Sequence, residues 1–304
     1  MHGSGNTLRD FVGYGEHPPH AGWPQGARLA LSFVLNYEEG GERSPLDGDS
    51  ATESIMHEIV GAPAAEGRRT LHIESMYEFG SRAGFWRVHR LFAQRALPLT
   101  VFAVGQALER NPEAARAMGE AGWEVVGHGW RWIDYGDVPA DVEREHIRRT
   151  NDAIQRLCGQ RPVGWFTGRA SENTRSLAVS EGDLLYDSDS LADELPYWVE
   201  VEGRAHLVVP YSLDCNDFKF FLDNGWVTGE DFYRYMLDTF DQLYEEGAET
   251  PRLMNVGLHA RIVGRPGRAR PLARFLDHVA DREDVWVTTR AEIARHWAAA
   301  HPPA

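Results

Sequence analysis

The alternation of short apolar runs with longer periodic segments constrains the fold of this chain more than any other feature of its sequence. Seven apolar runs have the length and composition of strands, at residues 30–35, 99–104, 124–126, 163–166, 207–209, 253–258 and 285–287. Helical periodicity fills much of the remaining sequence, at residues 85–96, 112–121, 141–157, 230–246, 270–280 and 291–299. Strand followed by helix, about seven times over, predicts parallel strands joined by right-handed crossovers. A barrel and a doubly wound sheet would each satisfy this pattern.

Both of these architectures bind their ligands at the carboxyl ends of the strands. In this chain polar side chains follow the apolar runs directly, and they are Glu38, Glu39, His128, Arg169, Asp187, Asp189 and His259. The sequence therefore predicts a functional site that is built from strand ends.

The composition limits the domain organisation and the classes of partner. The chain has 304 residues, 42% of them hydrophobic, and no repeat or linker interrupts it, so residues 1–304 are predicted to form one α/β domain. A formal net charge of −15 would repel phosphate backbones and anionic lipid, and no basic run offsets that charge. We therefore expect neither a nucleic acid nor a membrane as a partner.

The compartment is predicted from the beginning of the chain and from its cysteines. The first residues show no basic segment followed by an apolar stretch, and nowhere do about 18 apolar residues run together. Cys158 and Cys215 show no metal-ligand spacing and cannot form a disulfide framework, so ordinary reduced thiols are their simplest interpretation. We expect a soluble cytoplasmic protein.

Two adjacent carboxylates, Glu38 and Glu39, follow the first apolar run and precede glycines that allow a tight turn. One of them could act as a general base. Because neighbouring side chains on an extended segment point in opposite directions, we expect the two glutamates to have different roles. His259, which ends another apolar run, could supply the general acid. A solvated turn is the competing interpretation of the glutamate pair.

A third run ends at His128, inside an aromatic cluster that includes Trp130 and Trp132. This setting suits an imidazole beside a flat apolar pocket, although a structural histidine among core tryptophans would explain the same residues. Arg169 could stabilise an oxyanion, or bind a carbonyl or ureido group through its planar donors. An ordinary surface salt bridge is the alternative for this arginine.

The remaining candidates are acidic or lie near a further predicted strand end. Asp187 and Asp189 could orient a catalytic arginine or histidine, or lie in a solvated loop. His72 and Glu74, with Arg82 nearby, form the last group, and Glu74 and Arg82 could simply pair with each other.

No Gly-x-Ser-x-Gly elbow, P-loop or Gly-x-Gly-x-x-Gly after a strand supports a serine hydrolase, an NTPase or a dinucleotide-binding protein. Acid–base hydrolysis is the chemistry that remains.

Five motifs of the polysaccharide deacetylase (NodB-homology) superfamily resemble segments of this chain in the same order: residues 37–40, His128 with its neighbours, Arg169, residues 186–189 with 195–198, and residues 258–259. More narrowly, the chain is similar to the metal-independent allantoinases of that superfamily at residues 36–42, 77–84 (YEFGSRAG), 128–135 (HGWRWIDY), 161–169 and 257–267 (GLHARIVGRPG). The resemblance extends over nearly the whole chain. It implies a distorted seven-stranded β/α barrel and a homotetramer.

The resemblance also implies roles for individual residues. It implies that Glu38 is a general base and that His259 is a general acid. Arg169 would stabilise an oxyanion or orient the base, and Glu39 and His128 would be metal ligands. Deacetylases have aspartates where this chain has its two glutamates, and a third metal ligand, a histidine, where it has Trp132. An indole nitrogen keeps its proton and does not bind metal. Two ligands fall short of the three usual at a catalytic zinc, so we expect catalysis without a metal or any other cofactor. The alternative is a metal site in which Asp134 replaces the lost ligand.

The function that these features favour is hydrolysis of the hydantoin ring of allantoin to allantoate, in purine (urate) catabolism. The predicted substrate-binding residues are Glu39, Glu74, Arg82, His128, Trp132, Asp187, Asp189, Trp198 and Arg261. The alternatives are a cyclic imide hydrolase, a polysaccharide or peptidoglycan deacetylase, and a catalytically dead binding barrel. Residues 170–172 and Ala260 depart from the allantoinase pattern beside predicted site residues, and this bears on the substrate more than on the chemistry.

Overall fold

The strands of this chain share one sheet, in a computed structural model that describes residues 9–303. The ten strands of the described residues are β1 (Leu29–Tyr37), β2 (Thr100–Ala103), β3 (Glu124–Gly127), β4 (Gly164–Trp165), β5 (Tyr186–Asp187), β6 (Tyr197–Val201), β7 (Arg204–Val208), β8 (Cys215–Asn216), β9 (Arg252–His259) and β10 (Val285–Val287). All seven predicted strands are present. The three further strands are β5, β6 and β8, and two of them have only two residues.

Helices connect most of the strands. Their bounds are α1 (Leu71–Phe79), α2 (Phe85–Ala93), α3 (Gly105–Arg110), α4 (Pro112–Glu120), α5 (Ala140–Cys158), α6 (Thr174–Glu181), α7 (Gly229–Glu246), α8 (Ala260–Val263), α9 (Pro266–Ala280) and α10 (Arg290–Ala300). A π-helical turn at Gly80–Gly84 joins α1 to α2. Asn111 caps α4 as its side chain accepts the backbone N–H of Ala114, and Pro112 occupies the first turn, as the sequence predicts. No helix in the described part of the chain has the length and apolar character that a membrane crossing requires.

The sheet confirms the predicted α/β fold with parallel strands. Along the sheet the strand order is β6-β7-β5-β4-β3-β2-β1-β9-β8, and β10 pairs with the beginning of β1. Every neighbouring pair is parallel except β6 and β7, which form an antiparallel hairpin. The backbone hydrogen bonds do not join the two ends of this path, so they leave the barrel open on one side.

Strand β1 is buried along its whole length, because packed layers cover both of its faces. Alternate residues from Leu29 to Tyr37 pack into the larger apolar cluster, which also holds residues of α2, α7 and α9. Ala30 and Val34 point the other way, into a second cluster with Trp23, Phe102, Phe166 and Tyr211. A strand with two buried faces reads as a continuous apolar run, which is why the sequence revealed β1 so clearly.

The side chain of Arg290 links the two arms of the sheet where the backbone ladder is open. Its guanidinium is fully buried and donates to Ser188 Oγ at 3.0 Å, to the Asn255 side chain, and to the carbonyl oxygens of Val209 and Pro210. Val209 follows β7 and Asn255 lies in β9, and five strands separate β7 from β9 along the sheet. One guanidinium can bond to both Val209 and Asn255 only because the sheet curves enough to bring the end of β7 close to β9.

One predicted strand end is wrong. The sequence placed His72 and Glu74 at the end of a strand, but both residues lie in α1. The buried residues of α1 are Ile73 and Tyr77, four positions apart, which is the spacing of a helix face. The apolar residues here are too few to distinguish a short helix from a strand.

Arg290→Met is expected to destabilise the protein, because it leaves two carbonyl oxygens and the Asn255 and Ser188 side chains buried without their donor. Breaking a buried polar network costs about 3–5 kcal/mol. Urea unfolding followed by circular dichroism measures this loss. Arg295→Met, on the exposed face of the same helix, is the matched control and should change stability by about 0.5 kcal/mol or less. Equal stability of the two variants would contradict the proposed link between the sheet arms.

Candidate active site

The ends of four strands bring the candidate catalytic side chains together. Glu38 follows β1, His128 follows β3, Asp217 follows β8, and His259 is the last residue of β9. The register of β1 and β9 pairs Asn36 with His259, so the acid candidate lies beside the strand that carries the two glutamates. The structure thus brings the predicted strand-end residues Glu38, His128 and His259 together and adds Asp217, which was not predicted.

A glycine turn fixes the direction in which the chain leaves Glu38 and Glu39. Gly40 has a φ of +98°, a conformation that residues with a side chain rarely adopt. The N–H of Gly41 donates to the carbonyl of Glu38 at 2.8 Å and closes the turn. A side chain on Gly80, in the π-helical turn, would meet Glu39 Oε1 at 2.5 Å, so that helix can approach Glu39 only through a glycine.

Both carboxylate oxygens of Glu38 have cationic or imidazole partners. Oε1 lies 3.2 Å from His128 Nε2 and 3.6 Å from His259 Nε2, and Oε2 accepts from Arg261 Nη2 at 2.7 Å. Burial alone would raise the pKa of Glu38, but the charges of Arg261 and His259 and the hydrogen bond from His128 hold it well below its usual range. Glu38 is therefore an ionised carboxylate in a site that excludes solvent.

His259 is held in one orientation by Asp217. Its Nδ1 donates to Asp217 Oδ1 at 2.6 Å, while the other oxygen of Asp217 accepts the backbone N–H of His259 at 2.7 Å and of Val263 at 3.0 Å. Burial would lower the pKa of His259, but the carboxylates of Glu38 and Asp217 raise it to about 9. The imidazole is therefore protonated at neutral pH, and its Nε2 faces Glu38.

Arg261 lies between the two glutamates. Beyond its contact with Glu38, its Nη1 is 3.6 Å from Glu39 Oε1, and its Nε donates to the carbonyl of Met56 at 3.0 Å. The guanidinium carbon lies 4.5 Å from the ring centroid of Tyr77 and 5.2 Å from that of Trp132. A single positive charge thus contacts two carboxylates and two aromatic faces, and water is excluded from all of them.

Glu39 differs from Glu38 in its partners. Its oxygens accept the backbone N–H of Glu38 at 3.1 Å and of Arg261 at 3.0 Å. Burial raises the pKa of Glu39, Arg261 only partly opposes that shift, and the charge of Glu38 adds to it. The two neighbouring glutamates therefore have pKa values shifted in opposite directions.

Asp189 supports the loop that carries Arg169. It accepts the backbone N–H groups of Thr167 and Gly168 at 2.9 Å, and burial, followed by the charge of Asp187, raises its pKa to about 6. Arg169 stacks on Trp132 with 4.1 Å between the guanidinium carbon and the ring centroid, and it donates to the Trp132 carbonyl at 3.0 Å. Arg169 and Arg261 thus both lie over the ring of Trp132.

Four predicted site residues lie outside this cluster. Glu74 forms a surface pair with Arg69 at 2.6 Å, and Arg82 is largely exposed beside Glu78. Asp187 is bonded to Arg175 and His206, and Trp198 donates its indole N–H to the carbonyl of His301. The structure does not bring these four side chains to Glu38, because Glu74 and Arg82 lie on the outer surface and the other two are engaged with partners elsewhere.

Asp217, the residue that orients His259, was not predicted from the sequence. Asp217 follows β8, and a strand of two residues is too short to give a periodic pattern. Tyr77 lies in a segment that resembles the allantoinases but was not among the predicted site residues, and neither were the residues between β1 and α1 that cover the cluster. Met56 lies in that segment, and no sequence signal marked it.

Known proteins with similar sequences show the family to which this chain belongs. A family model described as polysaccharide deacetylase matches residues 68–182. A Schizosaccharomyces pombe protein named "Putative polysaccharide deacetylase" is 44% identical over 313 residues, which cover 97% of this chain and 98% of the relative. This chain belongs to the polysaccharide deacetylase family.

Two solved structures of this family are equally similar to the chain. The crystal structure of PuuE allantoinase has a TM-score of 0.94 and 50% identity, and it covers 97% of this chain and 99% of that chain. A structure named "probable Polysaccharide deacetylase from Pseudomonas aeruginosa PAO1" has the same TM-score, identity and coverage. The chain is thus a hydrolase with the mixed α/β fold of the polysaccharide deacetylase family.

The metal site that the family resemblance implies does not fit the residues present. Glu39 is bonded to two backbone N–H groups, His128 Nε2 faces Glu38, and Trp132 stands at the third ligand position. Asp134, which could have replaced the missing ligand, is exposed and accepts the N–H of Gly136. Within residues 9–303 no group of three or more His, Cys, Asp or Glu side chains is arranged to hold a metal ion. The guanidinium of Arg261 lies against both carboxylates instead.

We expect the purified protein to contain well under one equivalent of zinc, nickel, cobalt or manganese and to keep its activity after chelation. The physical reason is that the cluster lacks a third ligand and already pairs its carboxylates with Arg261. Elemental analysis before and after chelation measures this. Trp132→His is the informative variant, since it supplies the missing imidazole and should gain a weak metal site. Stoichiometric metal in the unaltered protein would contradict the expectation.

Asp217→Asn should lower the pKa of His259 from about 9. The amide removes one of the two carboxylates that favour the imidazolium, and the loss of such a charge shifts a pKa by about 1–3 pH units. NMR titration of the imidazole ring protons measures the shift. Asp214→Asn, three residues earlier and on the surface, is the control and should leave the titration unchanged. An unchanged titration in Asp217→Asn would mean that Asp217 only holds the backbone.

Proposed function

We propose that this hydrolase opens the ring of a small cyclic amide by general acid–base catalysis, and that its substrate is allantoin. One observation carries the proposal. Glu38 and His259 lie 3.6 Å apart with the carboxylate ionised and the imidazole protonated, which is the starting state that an attacking water and a leaving amide nitrogen require. The 50% identity with PuuE allantoinase over 97% of the chain supports the choice of ring.

In this proposal Glu38 removes a proton from a water molecule, and the resulting hydroxide adds to a ring carbonyl carbon. The negative charge that develops on the carbonyl oxygen is stabilised by a guanidinium donor, for which Arg169 and Arg261 are the candidates. His259 Nε2 then gives its proton to the ring nitrogen as the C–N bond breaks. Water has been added across that bond, with OH on carbon and H on nitrogen.

The short distance between Glu38 and His259 also completes the cycle. After ring opening Glu38 carries a proton and His259 lacks one. Because Glu38 Oε1 and His259 Nε2 are 3.6 Å apart, the proton can return once the two groups close that gap by a few tenths of an ångström or share a water. Asp217 keeps the imidazole in the tautomer that presents Nε2 to both reaction steps.

The burial of the cluster favours a small ring over a polymer. The side chains of Glu38, His128 and His259 are 2%, 2% and 5% exposed. A sugar chain would need an open groove along which several rings lie, whereas a compact planar ring needs only a closed pocket.

The finer elements of the proposal come from the family resemblance. They are a role in purine catabolism, a homotetrameric assembly and a small cyclic amide as partner. A cyclic imide hydrolase would use the same acid and base, so the substrate has to be measured.

The test is a substrate panel of allantoin, hydantoin, succinimide, glutarimide, dihydrouracil and N-acetylglucosamine oligomers. Allantoin is expected to have the highest kcat/KM. Glu38→Gln is the matched variant and should lower turnover by about 10²-fold or more, the scale of a lost general base, with folding preserved. Faster opening of an imide would move the function to an imidase, and release of acetate from the oligomers would move it to a deacetylase.

A further inference from the structure

Four polar atoms near Trp132 have no hydrogen-bond partner among residues 9–303. They are Glu53 Oε2, His57 Nε2, Arg169 Nε and Arg261 Nη1. Three of their residues are almost fully buried, with 3%, 3% and 2% exposure for Glu53, His57 and Arg261. Leaving a buried polar atom without a partner costs about 1–3 kcal/mol, and such atoms call for a functional explanation.

These atoms lie in one region of the molecule. Glu53 Oε2 is 4.0 Å from Arg169 Nη2, and Arg169 and Arg261 both lie over the ring of Trp132. Arg261 also donates to the carbonyl of Met56, the residue before His57, and the charges of Glu53 and Arg261 both act on the His57 imidazole. The unpartnered atoms therefore belong to residues linked by contacts that run from Glu53 through Arg169 and Trp132 to Arg261, which itself contacts Glu38.

Glu53 and His57 belong to the segment between β1 and α1, and other bonds hold that segment against the barrel. Asp49 pairs with Arg131 at 2.6 Å, and Glu58 pairs with Arg268 at 2.7 Å. The carbonyl of Ile55 accepts from the hydroxyl of Tyr77 at 3.2 Å. Glu53 and His57 therefore sit in a backbone that is anchored before, between and after them.

The hydrogen bonds that these residues already make decide what the unpartnered atoms can bind. Glu53 Oε1 accepts the backbone N–H groups of Ser54 and Ile55, so Oε2 remains as an acceptor. His57 Nδ1 accepts the N–H of Ile59, so the proton of the neutral ring is on Nε2, which is a donor. Burial lowers the pKa of His57. The charge of Glu53 opposes this shift and the charge of Arg261 adds to it, so the ring stays neutral. The unpartnered atoms therefore comprise one acceptor, Glu53 Oε2, and donors on His57 and the two arginines.

A planar group in which N–H lies beside C=O complements this arrangement. A ureido arm, –NH–CO–NH₂, presents such N–H donors and a carbonyl acceptor, whereas a ring without the arm offers only its own amide edge. We propose that Glu53 and His57 are the specificity-determining residues of this site: Glu53 Oε2 accepts a ureido N–H, and His57 Nε2 and Arg261 Nη1 donate to carbonyl oxygens. This inference rests on the proposed ring-opening function and names the part of the substrate that these residues bind.

The test compares allantoin with hydantoin, which has the same ring without the ureido arm. Glu53→Gln should lower kcat/KM for allantoin by about 10- to 100-fold, chiefly through KM, because an amide N–H then faces a substrate N–H. The value for hydantoin should not change. His57→Phe should reduce the preference for allantoin in the same direction. Glu58→Gln, five residues along and paired outside the cluster, is the matched control and should leave the ratio of the two substrates unchanged.

Binding gives a second readout that does not depend on turnover. In a Glu38→Gln background, calorimetry should show weaker allantoin binding when Glu53→Gln is added, and no change for hydantoin. A loss that is equal for both ligands, or no loss for either, would overturn the inference even if the rings are opened. If neither ring is opened but the arm-dependent loss of binding remains, the proposed reaction fails and the recognition site stands. Failure of allantoin to bind at all would overturn both.

Discussion

The buried ion pair between Glu38 and Arg261 is the interaction on which the rest of the site depends. Each side chain is only 2% exposed, and removing such a charge from water costs several kcal/mol. The 2.7 Å contact between them offsets that cost, and His259 and the Met56 carbonyl supply further partners. Each charge thus lowers the cost of burying the other, and this favours one register between β1 and the residues after β9.

One guanidinium between two carboxylates also explains why adjacent glutamates differ. Glu38 has Arg261 and two imidazoles around it, whereas Glu39 has backbone N–H groups and a more distant contact with the same guanidinium at 3.6 Å. A single positive charge can stabilise one ionised carboxylate well, and a second one close by is repelled by the first. The opposite pKa shifts of Glu38 and Glu39 follow from this geometry, and they separate the proposed base from a residue that positions its surroundings.

The sequence predicted those parts of the site that lie at the ends of buried strands with a recognisable apolar run. Glu38 and His128 follow β1 and β3, and His259 ends β9. It could not predict Asp217, because β8 has two residues, nor Glu53 and His57, because no periodicity marks the segment between β1 and α1. Glu74, Arg82, Asp187 and Trp198 were chosen for residue type or motif order, and neither shows whether a side chain points toward a neighbour elsewhere in the chain. The closure of the sheet by Arg290 is a long-range contact of the same kind.

The segment that covers the cluster matters to the electrostatics as well as to recognition. A guanidinium spreads one charge over three nitrogens, and in water that charge would act only weakly on a carbonyl oxygen. In a site closed by Trp132, Tyr77 and the backbone of Met56 the surrounding dielectric is lower, and the same charge acts more strongly on Glu38 and on a developing oxyanion. The residues between β1 and α1 therefore serve two purposes at once. They exclude the water that would screen Arg261, and through Glu53 and His57 they leave buried polar atoms that a bound substrate would satisfy.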